Sequence, residues 1–116
     1  MVLQNELITT NYTFIEHEDE MKYNAPHHFV VKNINTNEVV TKIDMQEGPI
    51  KECGVNGCAN EDLLAIVLTR LQHFQNSPYS CRENAIAITK LEETLMWLRK
   101  RTMARENRNV EGTSKV

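Results

Sequence analysis

The stretch from Ser80 to about Arg108, SCRENAIAITKLEETLMWLRKRTMARENR, constrains this chain more than any other. Ile88, Leu91, Leu95 and Leu98 recur at spacings of three, four and three, which is the seam of a helix packed on another helix. Ser80-Cys81-Arg82-Glu83 reads as a capping box: the Ser hydroxyl accepts the Glu83 amide, and the Glu83 carboxylate reaches back to the Ser80 amide. No Gly or Pro interrupts the run. At 1.5 Å per residue it makes a helix roughly 40 Å long, more than a compact core of this size needs. Its seam therefore demands cover, and its last third is strongly basic.

The cover is found just upstream. Asn60 is a good N-cap, Glu61 and Asp62 complement the dipole of a first turn, and Leu63, Leu64, Ile66, Val67, Leu68, Leu71 and Phe74 form a broad apolar face. Pro78 biases Ser77 away from helix, so this element ends near Asn76. The connection Asn76-Ser77-Pro78-Tyr79 is short enough to force an antiparallel hairpin of helices over 60–76 and 80–107, with 108–116 as a tail.

Before the helices, HFVVKN (His28 to Asn33) and EVVTKIDM (Glu38 to Met45) flank Asn35-Thr36-Asn37, a pattern for two strands around a turn. Val39, Thr41, Ile43 and Met45 share one face of the second strand, which is expected to be buried. Ile50 to Val55 reads as a third short strand, leading into the two-glycine loop Gly54-Val55-Asn56-Gly57, so 27–55 is assigned to antiparallel strands. Within 1–26, Leu7 to Ile15 permits a strand, and Glu16-His17-Glu18-Asp19-Glu20 reads as solvated loop. The expected fold is α+β: one domain over 1–116, with a small N-terminal antiparallel sheet followed by a two-helix antiparallel hairpin. A second helix that overshoots the first, on a chain with a modest core, favours an oligomer.

Several functions are argued against. No apolar run approaches the ~18 residues of a membrane span, and the start lacks a basic-then-apolar leader, so a cytoplasmic protein is expected. Cys53, Cys58 and Cys81 have no second Cys or His pair at zinc-ribbon spacing and read as unpaired thiols. His27 and His28, being adjacent, point to opposite faces of a strand rather than to a shared metal. HExxH, GxSxG, GxxxxGK[ST] and DFG patterns are missing, and the carboxylate pairs Glu61-Asp62 and Glu92-Glu93 suit solvated helix surfaces. No enzyme, cofactor or metal is expected.

Charge is asymmetric. Between Arg99 and Arg108 five basic residues face only Glu106, giving +4, and since the total is −3 the rest of the chain carries −7. That favours a small, locally bound anion over a long nucleic-acid track. Arg101 and Arg105, four apart, share a face and can clamp phosphate oxygens, or they can simply offset the helix dipole. Asn84 occupies a seam position, where an amide either fixes register or reads a base edge. Phe74 closes the apolar face of the first helix, as core or as a platform for a nucleobase. Phe74 and Asn84 both lie near the turn, whereas Arg101 and Arg105 are four or more turns away, so a head-to-tail second copy is needed to unite them. The loop from Gly54 to Asn60 enters a helix N-terminus, either as a plain loop or as an anion site.

From Gly48 to about Thr113, the motifs EGPIKE, GVNG, NEDLLAIV, CRENA, TKLEE and WL-x-KR together resemble the helical hairpin of phage proteins that counter bacterial Thoeris and CBASS defence. The chain looks most like the Thoeris anti-defence family, with the smaller anti-CBASS sponges as relatives. The resemblance implies a sponge that binds an immune signalling nucleotide without cutting it and so keeps the downstream effector off. The implied ligand is a cyclic ADP-ribose isomer of glycocyclic type, made by a TIR-domain enzyme in the infected host cell. Some members also hold cyclic di- or trinucleotides, and the implied assembly is a homodimer or homohexamer. Carried over by position, Phe74 and Arg101 sandwich the adenine, Asn84 makes a polar contact and Arg105 contacts phosphate. Gly57 and Ala59 would line a second, cyclic-trinucleotide-type pocket. The competing reading is a helical oligomeric adaptor or nucleic-acid-binding module, whose affinity would fall steeply with salt. The acidic remainder of the chain argues against it.

Overall fold

In the computed structural model, residues 1–8 and 11–116 are described. They divide into two units, Met1–Cys58 and Ala59–Val116. The first holds strands β1 (Thr13–His17), β2 (His28–Asn33) and β3 (Val39–Asp44) and the single-turn helix α1 (Ile50–Cys53); the second holds α2 (Asn60–Gln75) and α3 (Arg82–Asn107).

The strands form one antiparallel sheet in the order β1-β2-β3. The turn between β2 and β3 is set by Asn33, whose Oδ1 accepts the N–H groups of Asn35 (2.8 Å) and Thr36 (3.1 Å). Asn37 takes the left-handed backbone, φ 64°, that Asn tolerates. On β1, His17 faces Phe29 and Ile15 faces Val31. The outer edge of β1 is covered by the N-terminal segment, where Leu3 N–H bonds Ile15 O (2.8 Å) and His17 N–H bonds Met1 O (2.9 Å).

Three readings of this region need correction. The third strand is β1, not Ile50 to Val55. Pro49 presents a φ of −65° ready for a helix start, and Gly54 ends the turn at φ 75°, so backbone geometry overrides the β-branched ends of that segment. The acidic run is also not simply solvated: Glu16 and His17 are in β1, and the Glu18 carboxylate accepts the N–H groups of His27 and His28 at 3.1–3.3 Å. On the predicted buried face of β3, Ile43 and Met45 are half-buried, but Val39 and Thr41 are exposed. A register shift beside Val31 and Lys32 disturbs the pairing at that end of β3.

The adjacent histidines do diverge. His27 is buried, with Nε2 2.6 Å from Lys22 O, while His28 is exposed between Asp44 (Nδ1 to Oδ1, 2.9 Å) and Glu47 (Nε2 to Oε2, 2.9 Å), with Glu18 at 4.0 Å. The hydrogen bonds to Asp44 and then Glu47 raise the His28 pKa above its ordinary value. Protonated His28 thus ties the start of β2 to the end of β3 and the loop after it. Because the folded value is raised, this contribution is complete below the ordinary imidazole value and fades as pH climbs through the raised one. Between about pH 6 and pH 8.5, across the histidine range, the thermal midpoint of wild type should fall by a component that His28→Gln lacks. Parallel pH profiles for the two proteins would show that this cross-link contributes nothing.

In the second unit, the seam appears as read. Asn84, Ile88, Leu91, Leu95 and Leu98 on α3 are half-buried, as are Leu63, Leu64, Leu68 and Leu71 on α2, and the two helices pack together. α3 has 26 residues and α2 has 16, so α3 runs on by about 15 Å at 1.5 Å per residue. The expected breadth of the α2 face is not all buried, since Ile66 and Val67 are 58% and 47% exposed. Both helix starts shift by a residue or more. Ala59, not Asn60, is the N-cap of α2, and Asp62 Oδ2 accepts the Ala59 N–H at 2.9 Å. The Ser80 capping box does not form: Cys81 is the N-cap of α3, without a side-chain cap, and Ser80 N–H bonds Ser77 O (3.1 Å) inside the turn. The Gln75 carboxamide holds Cys81 instead, accepting its N–H (3.1 Å) and donating to its carbonyl (3.0 Å).

The tail after α3 is folded. Asn109 turns the chain at φ 60°, Val110 N–H bonds Arg105 O (3.0 Å), and Val110 is buried. Arg105 Nη2 donates to the carbonyls of Val110 (3.1 Å), Thr113 (3.1 Å) and Lys115 (2.7 Å), and Arg108 Nη2 donates to Val116 O (2.6 Å).

Candidate functional site

Phe74 lies in the last turn of α2 and is 42% exposed, beside the half-buried seam positions Leu71 and Gln75. The Arg70 guanidinium, one turn earlier, sits 5.4 Å from the ring centroid, within cation–π range. After Phe74 the chain turns tightly: Ser77 donates its hydroxyl to Phe74 O (2.5 Å) and accepts the Tyr79 N–H (3.1 Å). Asn84 follows in the first turn of α3, half-buried, and its side-chain amide makes no hydrogen bond among the described residues. An aromatic ring and an amide with unspent donor and acceptor therefore stand at the same end of the hairpin.

The basic residues stand at the other end. Arg101 is exposed and makes no hydrogen bond or ion pair among the described residues. Arg101 lies seventeen positions after Asn84, about 26 Å along the helix and well beyond the reach of an arginine. Arg99 and Lys100 add to the positive surface, with Lys100 Nζ 4.8 Å from the Trp97 ring centroid. Arg105 differs from Arg101. It is half-buried on the seam side, and three backbone carbonyls share the two hydrogens of its Nη2. Nη2 belongs to both bidentate edges of a guanidinium, so with the tail docked Arg105 has only single donors, Nε–H and the Nη1 hydrogens, to offer an anion.

Gly57 and Ala59 have local reasons for their identities. A Cβ on Gly57 would lie 2.4 Å from the carbonyl carbon and oxygen of Met45 and 2.7 Å from Asp44 O, so the loop can pass β3 only with glycine there. The Ala59 amide is already taken by Asp62, whose carboxylate occupies the N-terminus of α2. The loop itself is closed by an amide pair: Gln46 donates to Gly48 O and Gly54 O and accepts Asn56 N–H, while Asn56 pairs with the Glu47 backbone in both directions.

Residues 37–103 match the Acb2/Tad1 hairpin domain. A protein named Thoeris anti-defense 1, from Bacillus phage SBSphiJ7, is 49% identical over an alignment covering 96% of this chain and 96% of that protein. The chain belongs to the Acb2/Tad1 family of Thoeris anti-defence proteins. The matched hairpin domain takes in β3, α1, α2 and α3 as far as Met103. Phe74, Asn84 and Arg101 fall inside it, and Arg105 falls just beyond. For this Acb2/Tad1 chain, Phe74 and Asn84 stand on either side of the hairpin turn, whereas Arg101 and Arg105 lie toward the far end of α3.

Two residues at the Acb2/Tad1 hairpin turn escaped the sequence reading. Gln75 continues the α2 seam after Leu64, Leu68 and Leu71, so the stepping that singled out Asn84 on α3 would also have found it. Arg70 is four residues before Phe74, the spacing at which helix side chains meet.

Proposed function

We propose that this chain binds and sequesters a cyclic ADP-ribose-type immune signalling nucleotide without degrading it, so that the Thoeris effector in an infected cell is never activated. The observation that carries this reading is the 49% identity with Thoeris anti-defense 1 across nearly the whole of both chains. The hairpin supplies suitable chemistry. Phe74 offers a stacking face, Asn84 offers an amide that can read a base edge, and Arg101 offers a planar cation for the opposite face of the base. Since about 26 Å of α3 separates the two sets, the pocket is completed by a second copy lying head to tail. Cyclic di- and trinucleotides belong to the same proposal as further ligands. No helix among the described residues is long and apolar enough to cross a membrane, in keeping with the host cytoplasm as the proposed place of action.

Calorimetric titration of the purified protein with glycocyclic ADP-ribose isomers tests the reading. Tight binding is expected, and ligand released by heating the complex should elute unchanged on chromatography. Failure to bind any of these isomers would end the proposal, and recovery of an opened product would replace a sponge with a hydrolase.

A further inference from the structure

The Phe74–Asn84 end of the hairpin depends on a connection whose geometry is not fixed by helix packing alone. Residues 76–81 separate the helices, and the N-cap of α3 lacks a side-chain cap. What bridges the gap is the Gln75 carboxamide, whose Oε1 accepts the Cys81 N–H at 3.1 Å and whose Nε2 donates to the Cys81 carbonyl at 3.0 Å. An amide that bonds both the N–H and the C=O of one residue fixes distance and orientation together, because two simultaneous hydrogen bonds remove the rotation a single one would leave. Gln75 directly follows Phe74, and Cys81 precedes Asn84 by three residues, less than one helical turn. The bridge therefore connects the end of the helix carrying the ring directly to the start of the helix carrying the amide.

We propose that Gln75 is a positioning residue for nucleotide binding: its paired hydrogen bonds to Cys81 hold Phe74 and Asn84 at the separation and angle the ligand requires. This rests on the functional reading above. Preorganising two recognition groups removes an ordering penalty that the ligand would otherwise meet, so loss of the bridge appears mainly in affinity.

Two variants test the role with glycocyclic ADP-ribose as probe. Gln75→Met keeps the length and burial of the side chain but makes neither hydrogen bond. At a temperature well below its melting midpoint, its Kd should rise about tenfold, which corresponds to about 1.4 kcal/mol. Gln75→Glu gives a sharper readout. Ionised, its carboxylate accepts the Cys81 N–H but repels the Cys81 carbonyl; protonated, it both donates and accepts, as glutamine does. Its Kd relative to wild type should therefore recover as pH falls through the ordinary glutamate value of about 4.3, whereas Gln75→Met should show no such recovery. A part confined to general stability would lower the melting midpoint and leave the ligand affinity of the folded protein unchanged. If wild type binds and both variants bind equally well with no pH-dependent recovery in Gln75→Glu, the positioning role is wrong. If Gln75→Met does not fold, the pH profile of Gln75→Glu decides alone. If wild type does not bind, the nucleotide reading itself has failed, and the proposal fails with it.

Discussion

Phe74→Ala should weaken binding of a glycocyclic ADP-ribose isomer by about 1–3 kcal/mol, the range for losing one base–aromatic stack. A calorimetric titration would read this as roughly a 5- to 150-fold rise in Kd. The hairpin should survive, because Phe74 is 42% exposed and the seam is carried by Leu64, Leu68 and Leu71 against Leu91, Leu95 and Leu98. Arg101→Ala is the companion variant. Its side chain is exposed and has no partner among the described residues, so any change in Kd reports on ligand rather than on fold. A loss of about 1.5–3 kcal/mol is expected for a charged hydrogen bond or stacked cation. Arg105→Ala is less informative, since it also releases three carbonyls of the C-terminal tail. Unchanged affinity in both Phe74→Ala and Arg101→Ala would remove the binding site from the two ends of the hairpin.

The second large effect is on stability. Gly57→Ala adds a Cβ 2.4 Å from the Met45 carbonyl and 2.7 Å from the Asp44 carbonyl. Every atom in that clash is backbone, so no side chain can swing aside. The adjacent pairing of Cys58 with the end of β3, Cys58 N–H to Asp44 O and Gln46 N–H to Cys58 O, both 2.8 Å, must shift as well. The expected destabilisation is about 3 kcal/mol, at the upper end for overpacking, and it should appear as a clear fall in the urea midpoint. A midpoint within the ~0.5 kcal/mol scatter of ordinary surface substitutions would show that the loop can move away from β3.

Where the fold was legible, the deciding signals were local and repeated. The seam on α3 could be read because its leucines recur at helical spacing through several turns, each reinforcing the last. The turn between β2 and β3 could be read because asparagine carries its own turn chemistry, and Asn33 and Asn37 behave accordingly. Misreadings occurred where a short pattern competed with a contact from elsewhere. Ser80 and Glu83 have capping-box spacing, yet Gln75 grips Cys81 from the preceding helix and Ser80 is drawn into the turn. Ile50 and Val55 suggest a strand, but the backbone angles at Pro49 and Gly54 close a single helical turn between them.

The candidate site was legible in the same uneven way. Asn84 stood out because a polar residue interrupts an apolar stripe, and Phe74 because it ends one. Arg101 and Arg105 looked equivalent, since four-residue spacing places them on one face. Their difference comes from the tail, whose carbonyls lie five to ten residues beyond Arg105 and carry no side-chain signature. Backbone acceptors are present in every sequence and so distinguish none.

Native mass spectrometry with and without a glycocyclic ADP-ribose isomer tests the central claim most directly, because it gives assembly and ligand occupancy together. The account predicts a homo-oligomer built from head-to-tail pairs, carrying nucleotide of unchanged mass. A monomer that takes up no nucleotide, or a complex that releases the nucleotide heavier by one water, would contradict it.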